Sequence, residues 1–312
     1  MAVEDQIDEH EADPARWGHS LANIAEILRG CLDAIDAKSV AEVGAYAGDL
    51  TRVLLDWAGG AGARVVAIEP APQDRLVDLS QRHPELDLIR EPSHDALRHL
   101  SLPDAVIIDG DHNYYTVSEE LRFIDERSSG AEFPLVMLHD VGWPHGRRDA
   151  YWAPERVPEE HRQPLANPAR LFPGEPGLAD QGGLPMYSSA KREGGPRNGV
   201  LTAVEDFLHR RENLCLAILP PFFGFGVVWR REAPWAEALA EVVEPWDRNP
   251  VLERLEANRL YHLATSHARS VKLLGARIHL KKLQEQNRKL KQRLRKREQE
   301  LKRLRKAESV RS

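Results

Sequence analysis

The stretch Val40-Ala-Glu-Val-Gly-Ala-Tyr-Ala-Gly-Asp-Leu50 ends an apolar run, turns on Gly44 and Gly48, and opens an amphipathic segment. A strand that stops at a small-residue turn and feeds a helix is the starting unit of a sheet with helical crossovers. The same rhythm continues downstream. Apolar runs at 39–43, 64–69, 87–90, 104–109 and 134–139 predict strands, and 50–57, 73–82, 95–100 and 117–126 predict the helices between them. Five strands within about 100 residues predict an α/β, Rossmann-like doubly wound sheet, mainly parallel. Farther on, 198–211 reads as a helix. Strands at 214–219 and 223–230 flank Pro220 and Pro221, and this tight last pair predicts an antiparallel edge strand.

Around this body the chain carries appendages. Residues 1–37 form an N-terminal extension, polar at first, then an amphipathic helix with Leu21, Ile24, Ile27, Leu28, Leu32 and Ile35 on one face. The body spans 38–231 and is broken by an insertion at 141–197, rich in Gly, Pro, Arg, His and Trp and without a sustained period. Loops of that length are commonly functional, and a lid is the expectation. Peripheral helices, interrupted near Pro245 and Pro250, are expected over 232–270.

The net charge of −6 hides a division. Residues 271–312 hold sixteen Lys or Arg against four Glu, a net of +12, which leaves −18 for the rest. Leu273, Leu280, Asn287, Leu294 and Leu301 at heptad a positions, with Ala276, Leu283, Leu290, Arg297 and Leu304 at d, predict a basic C-terminal helical coiled coil. Asn287 at an a position favours a parallel homodimer, because facing amides satisfy each other only in register. A single solvated basic helix is the alternative. The segment lacks interleaved aromatics for base stacking, so any nucleic-acid contact would be to the backbone alone, and a nucleic-acid partner is not expected.

Other functional classes are excluded by composition. A chain of 312 residues at 42% hydrophobic buries a sizeable core. Two cysteines, Cys31 and Cys215, are too few for a disulfide framework or a four-thiolate metal site. The acidic start lacks the basic, apolar pattern of a secretion signal, and no run of eighteen apolar residues predicts a transmembrane segment. The expectation is a cytoplasmic protein.

The spacing Glu42-x-Gly44-x-x-x-Gly48 departs from the G-x-G-x-x-G that cradles a dinucleotide pyrophosphate, which argues against a dehydrogenase. A carboxylate two residues before the first glycine suits a cationic or amine-bearing group. About 25 residues on, Val65-Val-Ala-Ile-Glu69 ends the next strand in an acid, the place from which such folds reach ribose hydroxyls. On these residues the sequence, over roughly 38–230, resembles the class I S-adenosylmethionine-dependent methyltransferases. The resemblance implies that Glu42, Gly44 and Gly48 surround the amino-acid part of the cofactor S-adenosyl-L-methionine, that Glu69 binds its ribose, and that Ser93 lies near its adenine.

Two further strand ends bear polar clusters. Asp104-Ala-Val-Ile-Ile-Asp-Gly-Asp-His112 places Asp109, Asp111 and His112 after one strand, and Leu135-Val-Met-Leu-His-Asp140 places His139 and Asp140 after another. In an open sheet these ends share one crevice. Hard oxygen donors there suit Mg2+ or a similar divalent ion, and a histidine three residues after the first can take a proton from a hydroxyl. Asp111 reads as a local turn acceptor, and His112 has the alternative role of capping the next helix.

The arrangement resembles the metal-dependent O-methyltransferases, in particular the branch with macrolide-sugar methyltransferases and cephalosporin-hydroxylase-like proteins. Carried over, Asp109 and Asp140 match metal ligands and His112 the general base. His139 stands where the branch has an acidic residue and is taken as a further ligand. The runs His139–Trp152 and Glu193–Gly199 also resemble recurrent segments of this group. Trp143, Tyr151 and Trp152 are candidates to stack on an acceptor ring, and Arg147 and Arg148 to grip a phosphate or carboxylate. Alternatively the aromatics anchor the insertion and the arginines pair with Asp149 and nearby acids. The expected activity is O-methylation of a hydroxylated small molecule, sugar or glycan precursor. The competing expectation is a non-catalytic cofactor-fold protein that assembles through its basic tail.

Overall fold

A computed structural model describes residues 18–128, 133–180, 182–209 and 211–308. The polar extension expected at 1–17 lies outside them. Five parallel strands, β1 (Ser39–Val43), β2 (Arg64–Ile68), β3 (Leu86–Ile89), β4 (Ala105–Ile108) and β5 (Leu135–His139), form most of one sheet. Its order is β3-β2-β1-β4-β5, extended on the β5 side by a hairpin described below.

Central strands are buried on both faces, as parallel sheets require. β4 and β5 are buried at every position. Alternation divides their side chains between two cores: Ala105, Ile107, Leu135 and Met137 point into one, Val106, Ile108, Val136 and Leu138 into the other. The first core receives α1 (Ala25–Ala34), α2 (Asp49–Ala61), α3 (Asp74–Arg82) and α7 (Ala236–Val243). The second receives α4 (Ser93–His99), α5 (Tyr114–Arg127) and α6 (Val200–Leu208). Each fully buried Leu or Ile contributes roughly 1.5–3 kcal/mol over exposure.

The hairpin consists of β11 (Leu214–Leu219) and β12 (Phe225–Arg230). β12 runs antiparallel to β5, and β11 lies outside it at the edge, again in the direction of β5. The antiparallel strand is thus one position in from the edge. The turn at 220–224 returns the chain between strands of one hairpin, so one of the pair must run against the sheet.

The insertion is built rather than irregular. Short strands β6 (Ala150–Tyr151), β7 (Leu165–Ala166) and β10 (Ser188–Ala190) make a three-stranded antiparallel sheet, and β8 (Ala169–Leu171) pairs with β9 (Leu184–Met186). Strands of two or three residues leave no period to read. After α7, Pro250 begins α8 (Pro250–Glu308), 59 residues without a break at 270. Proline at a first helical position costs nothing, since its missing N–H is unpaired there anyway.

Candidate functional site

The carboxyl ends of β1, β2, β4 and β5 reach the same rim of the sheet, and the loops that leave them meet. Gly44 (φ +89°) follows β1 and its N–H bonds to Ile68 O at 2.9 Å. A Cβ there would collide with the Asp109 carbonyl and Gly110 Cα, so the glycine lets the first turn lie against the loop after β4. Gly48 (φ +80°) caps α2 against Leu76 and Leu79.

Glu42 is buried beneath this turn and accepts the Thr51 hydroxyl at 2.6 Å. Burial pushes its carboxyl up to about 8, against the Thr51 hydrogen bond. Glu69, half-buried, accepts Tyr46 N–H and Ala71 N–H, both at 2.9 Å, which ties the first turn to the end of β2. A carboxylate holding one donor per oxygen keeps lone pairs for ribose hydroxyls. Ser93 opens α4 and neighbours Glu120, a buried carboxyl also pushed up to about 8 by desolvation.

At the other end of the rim, His112 Nδ1 lies 3.1 Å from Asp140 Oδ2. Asp140 is buried and takes a left-handed conformation (φ +59°), which turns its side chain back from the end of β5. Burial opposes its charge, but His139, His112 and His145 hold its pKa below the usual carboxylate value. His139 is buried, with Nδ1 at 3.0 Å from Asp109 Oδ1 and 3.4 Å from Asp140 Oδ2, and Nε2 at 2.8 Å from Phe222 O. A ring that faces a carbonyl on one side and carboxylates on the other donates from both nitrogens. Burial works against the cation, yet the two carboxylates raise its pKa to about 10.

Among the described residues one cluster has the geometry to hold a metal ion. Ligand atoms of Asp109, His112 and Asp140 fall within 4.8 Å of one another, a combination of two oxygens and one nitrogen that fits a divalent ion. His139, expected as a ligand, is outside that group: its two ring nitrogens face Asp109 and the Phe222 carbonyl.

The insertion residues divide similarly. Arg147 forms a two-point pair with Glu205 at 2.6 and 2.7 Å. Arg148 is fully buried and donates to Ala190 O at 2.7 Å, Pro176 O at 3.0 Å and Gly177 O at 3.3 Å. Tyr151, also buried, donates its hydroxyl to Asp149 at 2.7 Å. Arg148 and Tyr151, expected at the acceptor, hold the insertion together, while Arg147 ties it to α6. Asp149 is the hub: it accepts Tyr114 N–H at 2.8 Å and Gly199 N–H at 2.6 Å as well. Asp111, read as a local turn acceptor, takes the N–H of Trp152, 41 residues on, at 2.9 Å and so fastens the insertion to the loop after β4. Trp143 keeps a buried indole N–H without a partner.

Several residues at the site carried no sequence signal. His145 stacks on His112 with ring centres 5.1 Å apart, and burial lowers its pKa to about 4. Tyr187 has a buried, unpartnered hydroxyl near Asp111, Asp140 and Asp109, and burial first, then these acids, raise its pKa. Its ring stacks on Trp152 at 4.7 Å, and Trp152 stacks in turn on Tyr46 of the first turn at 6.3 Å. His145 lay within the quoted His139–Trp152 run, but only the fold shows that its ring faces His112.

Residues 41–141 match a family model described as a methyltransferase domain. No curated protein matches the chain. Among solved structures it is similar to the SAH-bound methyltransferase PaMTH1 of Podospora anserina at 16% identity, over 74% of this chain and 87% of that one, with a TM-score of 0.43. It is also similar to DesVI of Streptomyces venezuelae at 14% identity, over 73% and 97%, with a TM-score of 0.38. The matched segment contains Glu42, Glu69, Asp109 and Asp140, so the rim that bears these carboxyls lies within the stretch similar to a methyltransferase domain.

Proposed function

We propose that the protein moves the methyl group of S-adenosylmethionine to a hydroxyl oxygen of a small molecule, sugar or glycan precursor, with His112 as general base. The observation that carries this reading is the 3.1 Å approach of His112 Nδ1 to Asp140 Oδ2. With Nδ1–H held by a carboxylate, Nε2 is the free basic nitrogen, and Asp140 stabilises the imidazolium formed when Nε2 takes the hydroxyl proton. The cofactor's methyl carbon is already electrophilic, so the protein's task is to align an activated oxygen in line with it and exclude water.

Glu42, Gly44 and Gly48 surround the amino-acid end of the cofactor in this reading, Glu69 takes the ribose, and Ser93 lies toward the adenine. Asp109 and Asp140 are the residues that would hold a divalent ion such as Mg2+, which when bound would lower the pKa of a coordinated hydroxyl and leave His112 to act as the base. Trp143 and Trp152 remain the acceptor contacts among the five residues first expected, joined by Tyr187.

The exposed leucines of α8 support homodimerisation through a parallel coiled coil: Leu280, Leu290 and Leu294 are 56%, 62% and 62% exposed. The free cysteines Cys31 and Cys215 support a reducing, cytoplasmic setting. Among the described residues no helix is long and apolar enough to cross a membrane.

The test is incubation of the protein with a metabolite extract and isotope-labelled S-adenosylmethionine, followed by mass spectrometry. A labelled methyl ether that disappears with His112→Ala supports the proposal. Label on nitrogen or carbon, or label indifferent to His112, overturns it.

A further inference from the structure

The turn between β11 and β12 is strained where it meets the site. Phe222, Phe223 and Gly224 all have positive φ, at 56°, 70° and 89°. Two successive phenylalanines in the left-handed region persist only where the surroundings over-determine them. The Phe222 carbonyl is also the group that receives His139 Nε2 at 2.8 Å. The position of that carbonyl fixes the His139 ring, and the ring's other nitrogen fixes Asp109 at 3.0 Å.

The first turns of α8 hold this turn from behind. Glu256, buried, accepts the Phe223 N–H through Oε1 at 2.9 Å. Arg259, one turn on, donates to both Glu256 oxygens at 2.7 Å and lies over the Phe223 and Phe222 rings at 4.6 and 5.6 Å. On the far side, Gly142 N–H reaches the Phe223 carbonyl at 2.6 Å. Peptide 222–223 is therefore gripped at its N–H by α8 and at its carbonyl by the buried histidine.

The geometry points to Glu256 as a positioning residue for the acidic pair: it anchors the Phe222–Phe223 peptide, which orients His139 and, through it, Asp109. The role rests on the reading that Asp109 and Asp140 are the working carboxylates. It gives the root of the long C-terminal helix a part in the site, although no residue of that helix is among the groups assigned to the reaction.

The test uses the full chain with 15N-labelled histidine and reads hydrogen exchange of the His139 ring N–H by NMR, alongside calorimetric titration of S-adenosylhomocysteine. Glu256→Ala is expected to speed that exchange about tenfold, the effect of losing one charged hydrogen bond, while leaving cofactor-product affinity within about twofold. Glu256→Gln, whose amide oxygen still accepts from Phe223 but which loses the ion pair with Arg259, is expected to speed exchange less than Glu256→Ala. If Glu256→Ala does not fold, Arg259→Leu, which releases the carboxylate without deleting it, is expected to give a smaller acceleration in the same direction. An unchanged rate in Glu256→Ala, or in Arg259→Leu where that variant replaces it, overturns the assignment, as does a Gln variant that behaves like Ala. The readout needs no acceptor, so it fails or succeeds independently of the methylation assay.

Discussion

His112 meets Asp140 at 3.1 Å on one edge of its ring, and its face is covered by His145, nearly parallel at 13°. Burial keeps His145 uncharged near neutrality, so an imidazolium on His112 would face a neutral ring and a carboxylate. Replacing His112 with Ala should lower methyl transfer by about 10²–10⁴-fold while changing S-adenosylmethionine affinity by less than about threefold. Asp140→Asn should fall between. Rates with labelled cofactor and calorimetric affinities check both, and equal loss of rate and affinity would assign His112 a structural role.

Glu42 is protonated in the folded protein near pH 7, with its pKa at about 8. A cationic ligand group beside it favours the carboxylate, so binding of S-adenosylmethionine is expected to release up to about one proton. Calorimetry in buffers of different ionisation enthalpy reads this directly. Glu42→Gln should abolish the release.

The same burial sets a pH dependence of stability. Glu42 and Glu120 both have folded pKa values raised to about 8. From roughly pH 4.5 to 8 the unfolded chain binds fewer protons than the folded one at these groups. Their contribution is therefore present at low pH and lost as pH rises, by at most about 1.4 kcal/mol per pH unit for each group. Denaturation midpoints for Glu42→Gln and Glu120→Gln should show a shallower decline over this window than wild type, and equal slopes would count against the buried acids.

Asp149 accepts from two backbone N–H groups and the Tyr151 hydroxyl. Asp149→Ala strands these donors in the interior at a cost of about 3 kcal/mol or more. Limited proteolysis should then cut within residues 150–195 faster than in wild type, while the main sheet stays resistant.

For the tail, removal of residues 271–312 should convert a sedimenting dimer to a monomer. Asn287→Ile should strengthen association but admit other registers or higher oligomers, visible as mixed species in sedimentation.

The sheet was legible because β4 and β5 are continuous apolar runs, with Asp109 and Asp140 just past their ends, and Glu42 and Glu69 mark the ends of β1 and β2 in the same way. The insertion was not. Its strands are two or three residues long, and Arg148 and Tyr151 look like surface ligand-binding types until Ala190 and Asp149 are seen to take their donors. The partner of His139 was hidden for a related reason: its pairing with Phe222 O spans 83 residues, a separation no local pattern encodes.

An unbroken helix of 59 residues runs about 88 Å, and the part from 271 to 308 extends about 57 Å. Such a stalk is a spacer and not a tether. A second copy paired along it would hold the two crevices at a set reach from the shared axis instead of on a slack lead.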